Sequence, residues 1–287
     1  MKILILGSIS RSLLNFRGPL IQRLRDSAHH VIAATAPDED SDQVATALND
    51  WGVEYRTVDL ARGGTNPLAD IRTFWAIQAL LREIRPDILL AYTAKPVIYG
   101  GMAAQTVAGV RFFPIITGLG YAFTPGAGAK RRAVRAILTR LYQRSLRGAE
   151  RVIFQNPDDQ AMFGELGLLP DYNRGTRVHG SGVDCETFPP SALPDVPVFL
   201  MLARLVADKG VREYVEAARR VREVYPNARF RLAGDLDPNP ASVKRSELDA
   251  WIAEGVIDYL GPVHPVQPEL AGCRYYVLPS YREGTPR

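Results

Sequence analysis

The alternation of apolar runs with helix-period segments is the feature that most constrains this chain. In the first half, short apolar runs suited to buried strands lie at residues 2–6, 30–34, 54–58, 88–91, 113–116 and 152–154. Helix-period segments separate them, most clearly at 68–84 and 129–147. Such alternation builds a parallel sheet with helices on its faces. The sequence therefore predicts an α/β fold.

A second series of the same kind follows a linker. The chain from residue 178 onward is rich in Gly, Ser and Pro, a composition typical of linkers. Further strands and helices are then predicted at 198–202, 211–225, 229–232 and 242–254 and near Ile257 and Tyr276. We expect two wound domains, residues 1–185 and 186–287. Four strands are readable in the second domain, whereas a doubly wound domain commonly has about six, so we expect this domain to be incomplete.

The composition indicates in which cellular compartment the protein is expected. The chain has 287 residues, 46% of them hydrophobic and 23% charged, as in globular proteins. Cys185 and Cys273 lie far apart without metal-ligand spacing, which favours a reducing compartment, and we expect the cytoplasm. No stretch reaches the roughly 18 apolar residues of a spanning helix. Any membrane contact is expected to be peripheral.

The positive charge is concentrated in one segment. Residues 130–151 contain eight Lys or Arg and one acid, Glu150. This segment predicts a basic helix whose apolar face consists of Val134, Ile137, Leu138, Leu141, Tyr142 and Leu146. The helix could bind an anionic lipid surface, a lipid diphosphate or nucleic acid, or could simply be solvated. Nucleic acid ranks lowest, because Tyr142 alone interleaves the basic residues.

Two short motifs in the second half suggest a ligand. Arg204 and Lys209 flank a strand-to-helix turn that ends at Gly210, where two cations and free helix N–H groups can hold a diphosphate. A solvated surface pair is the alternative, but the carboxyl end of a strand favours binding. Glu283 and Gly284 follow the last strand, where a carboxylate can accept hydrogen bonds from sugar hydroxyls. Alone this is a common turn, but the two motifs together predict a nucleotide-sugar site.

The remaining candidates are weaker. Gly7 and Ser8 follow the first strand, where they form either a plain tight turn or a second phosphate contact. The histidines show no metal-binding pattern: they are His29, His30, His179 and His264. We therefore expect no metal and no cofactor.

These motifs resemble those of the retaining glycosyltransferases of family 4. That family has the GT-B architecture, in which two Rossmann-like domains face a cleft. The most specific stretches are 203–210, 278–286 and Leu260-Gly261. Within the family, the chain resembles capsule and O-antigen enzymes and the transferases that add N-acetylgalactosamine to diacetylbacillosamine on undecaprenyl diphosphate. The stretches that support this are Asn15-Phe16-Arg17-Gly18-Pro19, Asn66-Pro67-Leu68, Gly118-Leu119-Gly120 and Asp237-Pro238-Asn239-Pro240.

The resemblance assigns roles to residues. Arg204 and Lys209 would neutralise the donor diphosphate and Glu283 would contact the donor sugar, and these three form the expected catalytic set. Gly7, Ser8 and Gly284 would complete the donor site. The second glutamate of the family's E-x7-E motif would fall beyond Arg287, and Thr117 stands where many relatives carry a histidine. The acceptor or membrane side would comprise Arg17, Thr117, Gly118, Lys130, Arg131, Arg132 and Arg135.

The expected function is transfer of a sugar, an N-acetylhexosamine, from a UDP-sugar to a polyprenyl-diphosphate-linked saccharide. The reaction would retain anomeric configuration, need no metal and serve surface polysaccharide or glycan biosynthesis at the inner face of the cell membrane. The expected partners are the donor, the lipid-linked acceptor and an anionic membrane surface, without nucleic acid. Two alternatives stay open: an epimerase or phosphorylase of the same architecture, and a membrane-binding fragment without activity.

Overall fold

The computed structural model describes residues 1–61, 64, 66–118, 129–169, 171, 174–237, 242–281 and 283–285, of which 129–131 are described by their backbone. The chain divides into two units. The first is Met1–Gly182 together with the tail from Gly284, and the second is Val183–Glu283. The division thus comes slightly before the expected boundary at 185/186, and the tail groups with the first unit. The reason is local contact: Gly284 lies against the Thr117 backbone oxygen, and the Thr285 hydroxyl donates to the Gln155 carbonyl.

The first unit is built on a parallel sheet. In the described residues its strands and helices are β1 Lys2–Leu6, α1 Arg11–Asp26, β2 His30–Thr35, α2 Ser41–Asp50, β3 Glu54–Thr57, α3 Pro67–Ile84, β4 Ile88–Tyr92, α4 Ala94–Ala104, β5 Arg111–Ile116, α5 Ala129–Leu146, β6 Val152–Phe154, α6 Pro157–Glu165 and β7 Gly175–Arg177. The strand order is β3-β2-β1-β4-β5-β6-β7, and neighbouring strands are parallel. The order reverses between β1 and β4, and such a switch point opens a crevice at the carboxyl ends of the strands.

Side-chain alternation along the strands separates two cores. In β1, Leu4 and Leu6 join one core, whereas Ile3 and Ile5 join the other. Successive strand residues point to opposite faces, so each core covers one face of the sheet. Helices α3, α4, α5 and α6 contribute to the core of Leu4, and α1 and α2 contribute to the core of Ile3.

The second unit repeats the plan on a smaller sheet. Its described elements are β8 Val198–Leu202, a 3₁₀ turn Ala207–Lys209, α7 Val211–Val224, β9 Arg229–Ala233, α8 Arg245–Ala253, β10 Asp258–Gly261, α9 Gln267–Ala271 and β11 Tyr275–Tyr276. The order is β10-β9-β8-β11, with parallel pairs. Helices α7 and α8 pack on one face through Tyr214, Val215, Leu248 and Trp251. The predicted α/β class and parallel sheets are confirmed.

The predicted apolar face of α5 needs one correction. Tyr142 and Leu146 are buried, but Ile137 is 58% exposed. Ile137 lies about 100° around the helix axis from Leu138, at the edge of the arc that packs on the sheet. Within the described residues, no helix combines enough length and hydrophobicity to span a bilayer.

Truncation of Phe163 should destabilise the first unit strongly. Phe163 is 0% exposed and makes edge-to-face contacts with Tyr142 and Phe154. We expect Phe163→Ala to cost about 3–5 kcal/mol in the free energy of unfolding, measured by urea denaturation. Phe16→Ala, at a 44% exposed position, is the control and should cost much less. Equal losses in the two variants would contradict the assigned core.

Candidate functional site

The turn between β8 and α7 carries both predicted cations. Arg204 follows β8, and Lys209 ends the 3₁₀ turn. Gly210 then adopts a left-handed conformation, with φ of 72°, and redirects the chain into α7. The first N–H groups of a helix lack intrahelical acceptors and carry partial positive charge. The turn therefore offers an anion both side-chain cations and backbone donors at the carboxyl edge of the sheet.

The loop after β11 lies directly on this turn. A Cβ atom on Gly210 would overlap the backbone oxygen of Pro279, so the approach requires glycine. The backbone amide of Tyr281 donates to the Asp208 carbonyl over 3.0 Å, and the side-chain hydroxyl of Tyr281 donates to Glu213 Oε1 over 2.6 Å. These contacts anchor the loop to the turn and to the first turn of α7.

As a result, the side chains of Lys209 and Glu283 are in contact. Lys209 Nζ lies 2.5 Å from Glu283 Oε1, and the two side chains are 22% and 25% exposed. An ammonium has three donors and a carboxylate has about four acceptor positions, so each group keeps capacity for a ligand while the pair is formed. The structure thus brings two of the three expected catalytic residues into contact.

Arg204 pairs with a different acid. Its Nη1 lies 2.7 Å from Asp237 Oδ2, and its side chain is 68% exposed. Sequence analysis did not identify Asp237 as a site residue, although it follows β9 at the same edge of the sheet as Arg204. Pro238, Asn239 and Pro240, as well as Arg282 and Pro286, lie outside the described residues.

In the first unit, Gly7 and Ser8 lie at the switch point. A Cβ atom on Gly7 would overlap the Tyr92 hydroxyl, so glycine is required there. Ser8 is 7% exposed, and its hydroxyl shares a 2.6 Å hydrogen bond with that of Thr93. Thr93 has φ of 67°, an unfavourable conformation for a β-branched residue. Sequence analysis missed Thr93, although it follows β4 just as Gly7 follows β1.

Arg17 is buried rather than surface-exposed. It is 4% exposed, its guanidinium lies 4.6 Å from the centre of the Tyr92 ring, and its Nη1 donates to Ser181 Oγ over 2.8 Å. Arg17 is therefore not exposed on the surface of the first unit, and its expected place on the acceptor side stays a prediction. Burial raises the pKa of Tyr92 to about 12, although the Ser12 hydrogen bond and the charge of Arg17 lower it. Tyr92 is a neutral phenol at physiological pH.

The remaining acceptor-side candidates divide into two places. Thr117 and Gly118 follow β5, are half-buried and lie in the part of the first unit that contacts Gly284. Arg132 and Arg135 are exposed on α5. The side chains of Lys130 and Arg131, and the residues Leu119 and Gly120, lie outside what the structure describes. Among the described residues, no three His, Cys, Asp or Glu side chains cluster as metal ligands would.

Comparison with known families matches both units. The family described as "Glycosyl transferase 4-like domain" matches residues 17–179, and that described as "Glycosyl transferases group 1" matches residues 196–287. The first match covers more than half of the chain. Residues 180–195 separate the two matches, and the boundary between the two units falls within this stretch.

Individual relatives agree with the family match. The chain is 27% identical to N,N'-diacetylbacillosaminyl-diphospho-undecaprenol alpha-1,3-N-acetylgalactosaminyltransferase of Campylobacter jejuni, covering 100% of this chain and 76% of that protein. Sucrose-phosphate synthase from Thermosynechococcus elongatus has a TM-score of 0.76 at 15% identity, covering 99% and 77% of the two chains. Anabaena HepE in complex with UDP-glucose has a TM-score of 0.68 at 18% identity, covering 99% and 75%. These likenesses confirm the Rossmann-like α/β fold of GT-B enzymes.

Removal of the Tyr281 hydroxyl should change the titration of Glu213. The hydrogen bond from Tyr281 is the main cause that lowers the pKa of Glu213 below its ordinary value of 4.5. Because the pKa of Glu213 is lower in the folded chain than in the unfolded chain, its carboxylate adds to the stability of the fold above pH 4.5. This contribution is lost as pH falls through the native pKa. In Tyr281→Phe, we expect the pKa of Glu213 to rise toward its ordinary value in carboxyl NMR titrations. An unchanged pKa would show that the loop is not anchored as described.

The close approach at Gly210 can be separated from backbone strain. Gly210 and Gly255 have φ of 72° and 69°, but nothing lies within 4 Å of a Cβ atom built at Gly255. Gly255→Ala should therefore lower the free energy of unfolding by about 1 kcal/mol, through the unfavourable backbone conformation alone. Gly210→Ala should cost about 1–3 kcal/mol more, because the Pro279 backbone must move. Urea denaturation followed by circular dichroism measures both, and equal costs would contradict the packing of the loop.

Proposed function

The chain belongs to the glycosyl transferase 4-like family, and on this premise we propose that it transfers an N-acetylhexosamine from a UDP-sugar to a polyprenyl-diphosphate-linked saccharide. Anomeric configuration is retained in the proposed reaction. The observation that carries the proposal is the contact between Lys209 Nζ and Glu283 Oε1, at the carboxyl edge of the sheet of the second unit.

The chemistry of a nucleotide-sugar fits this pair. In such a donor, the distal phosphate and the sugar share the glycosidic oxygen, so their binding groups must be neighbours. Lys209 and the first amides of α7 bind the phosphate oxygens, and Glu283 Oε2 accepts a hydrogen bond from a sugar hydroxyl. The Lys209–Glu283 contact fixes the relative position of the two groups before a donor arrives. HepE, which shares the fold, was solved with UDP-glucose, and this supports a UDP-sugar.

Bond cleavage leaves growing negative charge on the departing diphosphate. Lys209, the exposed guanidinium of Arg204 and the α7 amides stabilise that charge without a metal. In the proposed retaining reaction, a departing phosphate oxygen accepts the proton of the acceptor hydroxyl, which attacks from the same face. The bond from the anomeric carbon to the diphosphate breaks as the bond to the acceptor oxygen forms, so atoms and charge balance.

The acceptor assignment rests on the relative of known activity. The Campylobacter enzyme is named for transfer to a diphospho-undecaprenol-linked sugar. A polyprenyl chain confines such an acceptor to a bilayer, so the proposed enzyme acts at a membrane surface. The proposal includes the side of the membrane: the enzyme works in the cytoplasm, peripherally on the inner face of the cell membrane. The exposed arginines of α5 support contact with anionic lipid headgroups. The expected biological role is synthesis of surface polysaccharide or glycan.

The transfer itself can be measured directly. The purified chain is incubated with UDP-N-acetylgalactosamine or UDP-N-acetylglucosamine and a detergent-dispersed undecaprenyl-diphosphate-linked sugar. We expect an elongated lipid-linked product whose new linkage has the anomeric configuration of the donor by proton NMR. Free sugar or an epimerised nucleotide as the sole product would contradict transfer, and an inverted linkage would contradict retention.

Loss of the Lys209 charge should abolish most of this activity. Lys209→Met removes a cation from the departing diphosphate, and loss of one such stabilising group costs about 10²–10³ in rate. The matched control is Lys244→Met, which removes an exposed lysine at the start of α8. We expect kcat/KM to fall by that factor in the first variant and to stay near the native value in the second. Equal activity of the two variants would exclude Lys209 from the site.

A further inference from the structure

The outer face of α3 is apolar where a globular helix is usually polar. Leu68, Ile71 and Trp75 are 69%, 53% and 57% exposed. Their spacing of three and four residues places them on one face of the helix. The opposite face, with Ile77 and Leu81, is fully buried in the core of the first unit. The trio therefore presents apolar surface to the solvent rather than to the core.

The surroundings of this trio are basic. Arg72 and Arg82 are exposed on the same helix. The acid of the first turn, Asp70, is paired with Lys95 at 2.7 Å, and its side chain is only 20% exposed. Glu83, next to Arg82 in the last turn of α3, is exposed but paired with Arg56 at 3.4 Å. Arg72 thus lies beside the apolar trio, and the two acids of α3, Asp70 and Glu83, are each paired with a cation.

Helix α5 extends the same side of the first unit. Both α3 and α5 pack on α4, and side chains of all three helices meet in one core on one face of the sheet. Helix α4 is itself mostly buried. The described exposed residues of α5 include Ile137 and four arginines and no acid: Arg132, Arg135, Arg140 and Arg144. Arg147, just after the helix, is also exposed. We call the exposed trio of α3, together with Arg72, Arg82 and these residues, the α3–α5 face.

We propose that the α3–α5 face docks the protein on an anionic lipid bilayer, with Leu68, Ile71 and Trp75 inserted at the level of the headgroups. This inference rests on the proposed function and adds α3 to the basic helix as the element that enters the lipid. Exposed tryptophan and branched aliphatic side chains with an arginine rim suit the interface between headgroups and acyl chains. The arginines of α5 lie on the anionic headgroups.

A second copy of the chain fits this face less well. Pairing two α3–α5 faces would bring two sets of arginines together without acids to neutralise them, and like charges oppose such contact. An anionic bilayer neutralises the arginines and buries the apolar trio at once. The two occupants are separated by the experiments below.

Vesicle sedimentation tests the docking surface without donor or acceptor. The native chain is expected to sediment with vesicles of phosphatidylglycerol and phosphatidylethanolamine, and weakly with vesicles of phosphatidylcholine. The Leu68→Ser, Ile71→Ser, Trp75→Ser variant should lose at least about tenfold in partition coefficient. The control is Val224→Ser, Tyr225→Ser in the second unit, where the residues are 68% and 63% exposed, and it should bind like the native chain. Equal losses in both variants would overturn the proposal.

Tryptophan fluorescence gives a readout that does not depend on a destabilising variant. The chain has three tryptophans: Trp75 is exposed, Trp51 is half-buried and Trp251 is 7% exposed. Lipids brominated near the headgroup should quench the emission of the native chain on binding. Trp75→Phe keeps an apolar ring and should remove that quenching. Quenching that persists in Trp75→Phe would show that another surface meets the bilayer.

The outcomes also separate this inference from the proposed function. Transfer in detergent without binding to anionic vesicles would overturn the docking surface and leave the transferase reading intact. Vesicle binding that depends on the trio, without transfer, would support the docking surface and contradict the transferase proposal. Concentration-dependent dimerisation that the triple variant abolishes, without vesicle binding, would assign the face to a second copy and overturn the proposal.

Discussion

The contact between the loop after β11 and the turn after β8 determines the candidate donor site. Gly210 lets the backbone of Pro279 approach, and the Tyr281 amide donates a hydrogen bond to the Asp208 carbonyl. These contacts place Glu283 beside Lys209, a residue distant in sequence. A side chain at residue 210 would overlap the backbone of Pro279, in the loop that leads to Glu283. The ion pair therefore depends on a packing constraint that carries no charge.

The two units use the same structural principle for different tasks. In each unit, the parallel strands end at one edge of the sheet, where small residues and helix N-termini leave backbone donors accessible. In the second unit, that edge carries the ion pairs of Lys209 and Arg204. In the first unit, it carries the packed set of Gly7, Ser8, Tyr92 and Thr93, which has little exposed charge. The positive charge of the first unit lies instead on α5, away from its buried core.

Sequence patterns predicted what depends on neighbours in the chain. The β8 strand, the turn with Arg204 and Lys209, and helix α7 follow from local periodicity and a glycine, and the structure has them close to the expected residues. Pairing across distant segments could not be read in this way: Glu283 with Lys209, Arg204 with Asp237, and Arg17 under Tyr92 depend on tertiary packing. Ile137 was misplaced because an apolar residue at the edge of a helical arc is ambiguous. The short strand β7 has too few residues to show periodicity.

The most direct test of the central claim compares two ligands in one variant. Calorimetry of the native chain and of Glu283→Gln is carried out with UDP and with the proposed donors, UDP-N-acetylgalactosamine and UDP-N-acetylglucosamine. If Lys209 holds the phosphate and Glu283 holds the sugar, Glu283→Gln will bind UDP about as well as the native chain does and will lose affinity for the UDP-sugar. Equal losses for both ligands, or no loss for either, would contradict the division of roles between these residues.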